Sequence, residues 1–193
     1  MHQPAEELVS EWIRPAIRAI PRSIAARLPP CDITLREHLG EEDPASQWTL
    51  TDTALHITVS TKDVEPHDVA IEVLICVGQA LWELVPPATC AEWVEVLRDE
   101  ISASVTGEID EQALNEKQKL LSSAASARSR RRLIEYARAA FAATVAEYVH
   151  CLWHDVTVRT GPGHLPPDPL RKRLELMNRW FPPNRGYRLF PQA

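Results

Sequence analysis

Glycine is scarce in this chain, six in 193 residues, and none of the six falls in a G-x-G-x-x-G turn, a G-x-x-x-x-G-K-[ST] loop or a G-x-S-x-G elbow. Those motifs need glycine where backbone must approach a phosphate or turn sharply beneath a nucleophile, so dinucleotide binding, P-loop chemistry and the α/β-hydrolase elbow are set aside. Cysteine is also sparse: Cys31, Cys76, Cys90 and Cys151 stand far apart with no C-x-x-C pair. That spacing suggests neither a zinc knuckle nor a disulfide framework, and we read the four as reduced thiols. The opening stretch, MHQPAEELVSEWIRPAIRAI, carries acidic residues early and lacks an unbroken apolar run. It resembles neither a signal peptide nor a membrane span, so a cytoplasmic protein without a membrane partner is expected.

What the chain does have is ordinary for one globular domain over residues 1–193: 45% apolar and 25% charged residues, enough to bury a core. Charge is unevenly spread, with 9 basic against 22 acidic residues in 1–126 and 12 against 5 in 127–193. Two readings follow. RSRRR (128–132), RKR (171–173), Arg179, Arg185 and Arg188 could form a basic face for an anionic partner, or the basic half could pack beside the acidic one. The second is preferred, because an acidic whole weakens long-range attraction to phosphate; nucleic acid is disfavoured as a partner.

Periodicity predicts an α+β, mostly helical fold. Leu8, Trp12, Ile13, Ile17 and Ile20 recur at helical spacing, with a kink or restart expected at Pro15. Alternation marks strands around Cys31, Ile33 and Leu35 and around Leu55, Ile57 and Val59, and QWTLTD (47–52) is expected to pair with 54–60 as a hairpin. A small antiparallel sheet is the expectation, followed by a buried helix, PHDVAIEVLICVGQALWELV (66–85), apolar on most sides. Thr89 with Glu92 gives a capping-box pattern for a helix to about Ile101. Further helices are expected over 108–121 and 126–159, the latter with Phe141, Val145, Tyr148 and Leu152 as its apolar stripe. A last one runs to Trp180, capped by Asp168 with Pro169 at its first position. The aromatic tail, Trp180, Phe181, Tyr187 and Phe190, reads as a strap over the core.

The order, strands ending in an exposed-looking edge strand over 54–60, then a buried helix and then helices only, is the order of zincin metallopeptidases. In LICVGQALWEL, Gly78, Ala80 and Leu81 fall where a zincin active helix often reads H-E-x-G-H-A-L, while Ile75, Cys76 and Gln79 occupy the His, Glu and His places. YARAAFAATVAEYV resembles the helix that supplies a third ligand in some zincins, with Arg138 or Ala139 at that position. The resemblance implies a zincin-like fold with both ligands and base replaced, and hence a non-catalytic relative in a binding or regulatory role. Isoleucine offers no donor atom and glutamine is a poor ligand, so peptidase chemistry is not expected there. The stripe Asp68, Glu72, Cys76, Gln79 and Glu83 still runs along the same helix and could border a cleft.

One further pattern carries chemistry. EYVHCLWHDV places His150 and His154 four apart, with Glu147 one turn earlier. Four helical residues advance about 6 Å and return to nearly the same face, so the two imidazoles can share an ion. His164 in the Gly-Pro-Gly-His loop is a candidate further ligand and Asp155 a candidate outer partner. The metal reading is therefore His150, His154, His164 and Glu147 holding zinc or another divalent transition metal in a metal-dependent hydrolase. Against it, that face lies opposite the apolar stripe and also reads as the solvated side of a helix. A Cys151–His154 nucleophilic pair is easily accidental at this spacing. The partner, protein or small molecule, is not legible from the sequence.

Overall fold

Pro4 and Pro15 frame the first element of the computed structural model, which describes residues 3–40, 44–122, 127–154 and 163–190. The helix neither breaks nor restarts at Pro15. It runs as α1 (Gln3–Leu8), a π-helical turn (Val9–Ile13) and α2 (Arg14–Ala19), then α3 (Arg22–Ala25). Pro15 lacks an N–H and crowds the carbonyl four residues back, and the wider turn just before it accommodates both effects.

The protein is α+β and about 60% helical, with a three-stranded mixed sheet. β1 (Cys31–Arg36), β2 (Ser46–Leu50) and β3 (Leu55–Ser60) lie in the order β1-β3-β2. The expected hairpin forms, with Trp48 opposite Ile57 in the antiparallel β2–β3 pair. The expectation of a wholly antiparallel sheet is corrected: β1 pairs with β3 in parallel, Ile33 opposite Ile57. So is the expectation that 54–60 is an edge, since β3 is the centre and Leu55, Ile57 and Val59 are fully buried. Alternation reports which face of a strand is covered; it says nothing about how many neighbours the strand has.

α4 (Pro66–Trp82) is the buried helix foreseen, and α5 (Pro87–Ser102) leaves it at 117° across the Pro86–Pro87 break. Neither predicted cap forms. Pro86 is the N-cap of α5, and Glu92 instead accepts from Trp180 Nε1 at 3.1 Å. The last helix, α8 (Pro167–Trp180), starts behind Pro166 and leaves Asp168 in its first turn. In both, prolines fix the entry before a polar residue can act. α6 (Glu111–Leu121) starts later than expected, capped by Asp110 accepting from Ala113 N at 2.7 Å. α7 (Ala127–Trp153) packs along α4 and α6. Among the described residues no single helix is long and apolar enough to cross a membrane.

Below this layer a buried ionic group joins four elements. Arg173 of α8, wholly buried, donates to Glu100 of α5 at 3.0 Å and to Glu108 at 2.8 Å. Lys117 of α6 reaches Glu108 at 3.2 Å, and the Tyr136 hydroxyl of α7 donates to it as well. Trp93 lies 5.5 Å from the guanidinium and donates its own N–H to Ala137 O at 2.9 Å. The acidic and basic halves do pack together. Arg131 and Arg132 pair with Glu135, Arg171 with Glu175, Arg138 with Glu83 and Arg179 with Glu92, so much of the expected basic face is already neutralised. The tail is a strap: Phe181 is buried, and Asn184 ties it to Ile20 O at 2.8 Å and Arg22 N at 2.9 Å.

Candidate functional site

Contacts between α4 and α7 run in opposite chain directions, from Gly78 against Ala142 to His67 against His150, so the helices are antiparallel. The first turn of α4 therefore meets the last turns of α7, and a cleft of about 800 Å³ opens there. Asp68, Glu72, His67, Glu147, His150 and His154 line it from the two helices, and Glu108, Asp110, Glu111 and His164 from the loop and α6 side. No lysine or arginine lines it among the described residues. The upper part of the α4 polar stripe does border a cleft, while Gln79 bonds to Gln112 at 3.3 Å and Glu83 to Arg138.

His67 and His150 meet nitrogen to nitrogen, Nε2 to Nε2 at 2.9 Å. Each ring turns its other nitrogen toward a carboxylate: His67 Nδ1 lies 3.2 Å from Asp68 Oδ1, and His150 Nδ1 lies 3.6 Å from Glu147 Oε2. The second distance is too long for a hydrogen bond, and His150 Nδ1 is buried without a partner. His154 stacks on His150 with ring centres 5.5 Å apart and on Trp12 at 5.9 Å. Trp12 also meets His67 edge-on at 5.7 Å.

The structure thus brings together three of the four expected ligands, with one correction to their setting. His150 is 7% exposed, Glu147 half-buried and His154 exposed, so the 147–150–154 face is withdrawn from solvent at its middle residue and open at its end. α7 is buried nearly all round between Tyr136 and His150, and the start of α4 together with Trp12 closes its C-terminal end. Glu147 flanks His150 and His154 is exposed beside it. His164 lines the same cleft, seated by a backbone bridge to Glu108 (Leu165 N to Glu108 O, 3.0 Å). Asp155 lies outside the described residues. His67 and Trp12 were not foreseen as site residues, and Asp68 only as the first member of the polar stripe expected to border a cleft. Among the described residues no group of three or more His, Cys, Asp or Glu side chains is arranged to hold an ion, and the converging nitrogens are a pair.

Carboxylates line the cleft, and of these Glu108 is paired with Arg173 and Lys117. Burial pushes the Glu72 carboxyl up, and the hydrogen bond from Ser46 at 2.9 Å only partly offsets this. Burial pushes Asp110 up to about 6, with Glu108, Glu72 and Glu111 adding to it. Cys76 is pushed up to about 11 by burial, and Cys151 to about 12 by burial and Glu147. Both shifts favour the protonated thiol, which counts against a Cys151–His154 nucleophile. No protein-family model, curated protein or solved structure matches this chain.

Proposed function

We propose that the chain is a non-catalytic, zincin-like binding protein whose cleft between α4 and α7 takes a cationic ligand. The observation that carries this is the polar part of the cleft's lining, carboxylates and imidazoles set among apolar side chains, with no lysine or arginine among the described residues. Low-dielectric walls around like charges focus a negative potential into the space. The zincin-like part is supported by α4, which follows the strands, is buried, and touches the antiparallel edge strand through Ser46 and Glu72. At the peptidase positions Ile75 and Cys76 are buried and Gln79 is engaged by Gln112. A zincin mechanism needs two imidazoles and a carboxylate there. The likeness rests on element order and on this helix, since the strand before α4 is central.

The test is calorimetry on the full chain with divalent metal chlorides and spermidine against sulfate and citrate, beside a casein-hydrolysis assay with and without zinc. Saturable binding confined to the cations, weakened in Glu72→Gln/Glu147→Gln, and no hydrolysis is the expected result. Hydrolysis scaling with protein overturns it. The second reading, a metal-dependent hydrolase at His150 and His154, is favoured by one observation, the approach of His67 to His150. It requires turnover that disappears in His154→Ala.

A further inference from the structure

Two imidazoles pointing the same kind of nitrogen at each other pose a proton-counting problem. A neutral imidazole has one N–H and one lone pair. If each Nδ1 carries the proton toward its carboxylate, Asp68 for His67 and Glu147 for His150, then two lone pairs face each other at 2.9 Å. If His67 instead donates from Nε2, its Nδ1 lone pair faces Asp68 Oδ1 at 3.2 Å; if His150 does, its buried Nδ1 is left with no donor. Neither neutral arrangement satisfies all four nitrogens. A cation between the Nε2 atoms engages both lone pairs and leaves both Nδ1 atoms as donors, His67 toward Asp68 at 3.2 Å and His150 turned toward Glu147, 3.6 Å away.

We propose that His67 and His150 bind one divalent transition-metal ion of the zinc class through their Nε2 atoms, with Asp68 orienting the His67 ring. Tetrahedral zinc with nitrogen bonds of about 2.05 Å sets its ligand nitrogens about 3.3 Å apart, so the observed separation needs only a small opening of the pair. His150, 7% exposed with Nδ1 unpartnered, is held in place by its surroundings, and His67, with 26% of its side chain accessible, is the ring that adjusts. The pair borders the cleft, which Glu72 and Glu147 also line. Imidazole pairs with carboxylates beyond them suit zinc, cobalt or nickel; calcium and magnesium require oxygen ligands throughout.

This deepens the reading of the cleft as a cation site and rests on it. The experiment is zinc and cobalt(II) titration of the chelator-treated full chain, following stoichiometry by elemental analysis, melting temperature and cobalt absorption. One equivalent, a raised melting temperature and nitrogen-ligand cobalt bands are expected. His67→Gln and His150→Gln should each weaken zinc about a hundredfold and Asp68→Asn about tenfold, within the range seen for partners of metal-bound imidazoles. His56→Gln, on the exposed face of β3, should change nothing. Because His67 is partly exposed, its variant remains informative if His150→Gln fails to fold. No saturable zinc overturns the proposal, as does full zinc affinity in His67→Gln with loss in His154→Gln, which would place the ion on the helical pair instead. Spermidine binding without zinc uptake sinks the metal site and leaves the cationic cleft standing; absence of both removes the two together.

Discussion

Gly78 of α4 lies so close to Ala142 of α7 that a β-carbon on the glycine would stand 2.7 Å from the Ala142 Cα and 2.8 Å from its carbonyl oxygen. Both neighbours are backbone, so the helices themselves would have to part. Gly78→Ala, which raises intrinsic helix propensity, is nonetheless expected to destabilise the fold by about 1–3 kcal/mol, the usual cost of overpacking. Urea denaturation measures it. The same parting would separate His67 from His150, so zinc affinity should fall with stability; a variant as stable as the parent would show that the helices have room to spare.

Glu108 is the shared acceptor of Arg173, Lys117 and Tyr136. Burial alone would push its carboxyl up, but these partners outweigh it and hold it below the ordinary glutamate value. Glu108→Ala leaves the buried Lys117 ammonium without its counter-charge and the Arg173 guanidinium with Glu100 alone, at a cost of about 3–5 kcal/mol. The sign with pH follows from the lowered value: the carboxylate's contribution is complete above pH about 4.3, the unfolded value, and is lost as pH falls through the folded one. Thermal melts from pH 7 to 2.5 should show the gap between parent and variant closing at the acid end.

Much of this molecule is legible residue by residue, and the exceptions share a cause. Alternation at Ile33 and Ile57 and helical spacing along 66–82 and 127–153 located strands and helices because they report local burial. Strand order escaped because it is set by the long connection from β1 to β2, which no period encodes. The capping patterns at Thr89–Glu92 and Asp168 misled because Pro87 and Pro167 had already set the helix starts. Helical spacing linked His150 to His154 and Glu147, but the nearest imidazole nitrogen belongs to His67, 83 residues away on an antiparallel helix. The charge split did foretell that the halves attract; that Arg173 sits at the centre of that attraction required the fold.

Asp110 gives the opposite pH sign. Its folded value of about 6 lies above the ordinary aspartate value near ~3.9, so the unfolded chain gives up this proton first and stability declines as pH rises between the two. Asp110→Asn keeps an oxygen to cap Ala113 N and removes the charge from an acidic cleft. A gain of about 1 kcal/mol at pH 7, vanishing near pH 4, is expected after allowing for partial solvent screening. An Asn variant less stable than the parent at pH 7 would mean that the carboxylate's cap outweighs its repulsion by Glu108, Glu72 and Glu111.

The four thiols should differ in reactivity in an order set by burial. Cys31 is exposed on β1, Cys90 is partly covered, Cys76 is buried and raised to about 11, and Cys151 is raised to about 12. Only the thiolate attacks an alkylating agent, and at pH 8 a thiol at 11 or 12 is ionised by about one part in a thousand or less. Timed iodoacetamide labelling with mass spectrometry should modify Cys31 first and leave Cys76 and Cys151 unmodified until urea unfolds the chain. Cys151 lies one residue from His150, so early labelling there would mean that the end of α7 opens in the native state, and that the closure of Trp12 and α4 over the histidines is looser than their ring contacts imply.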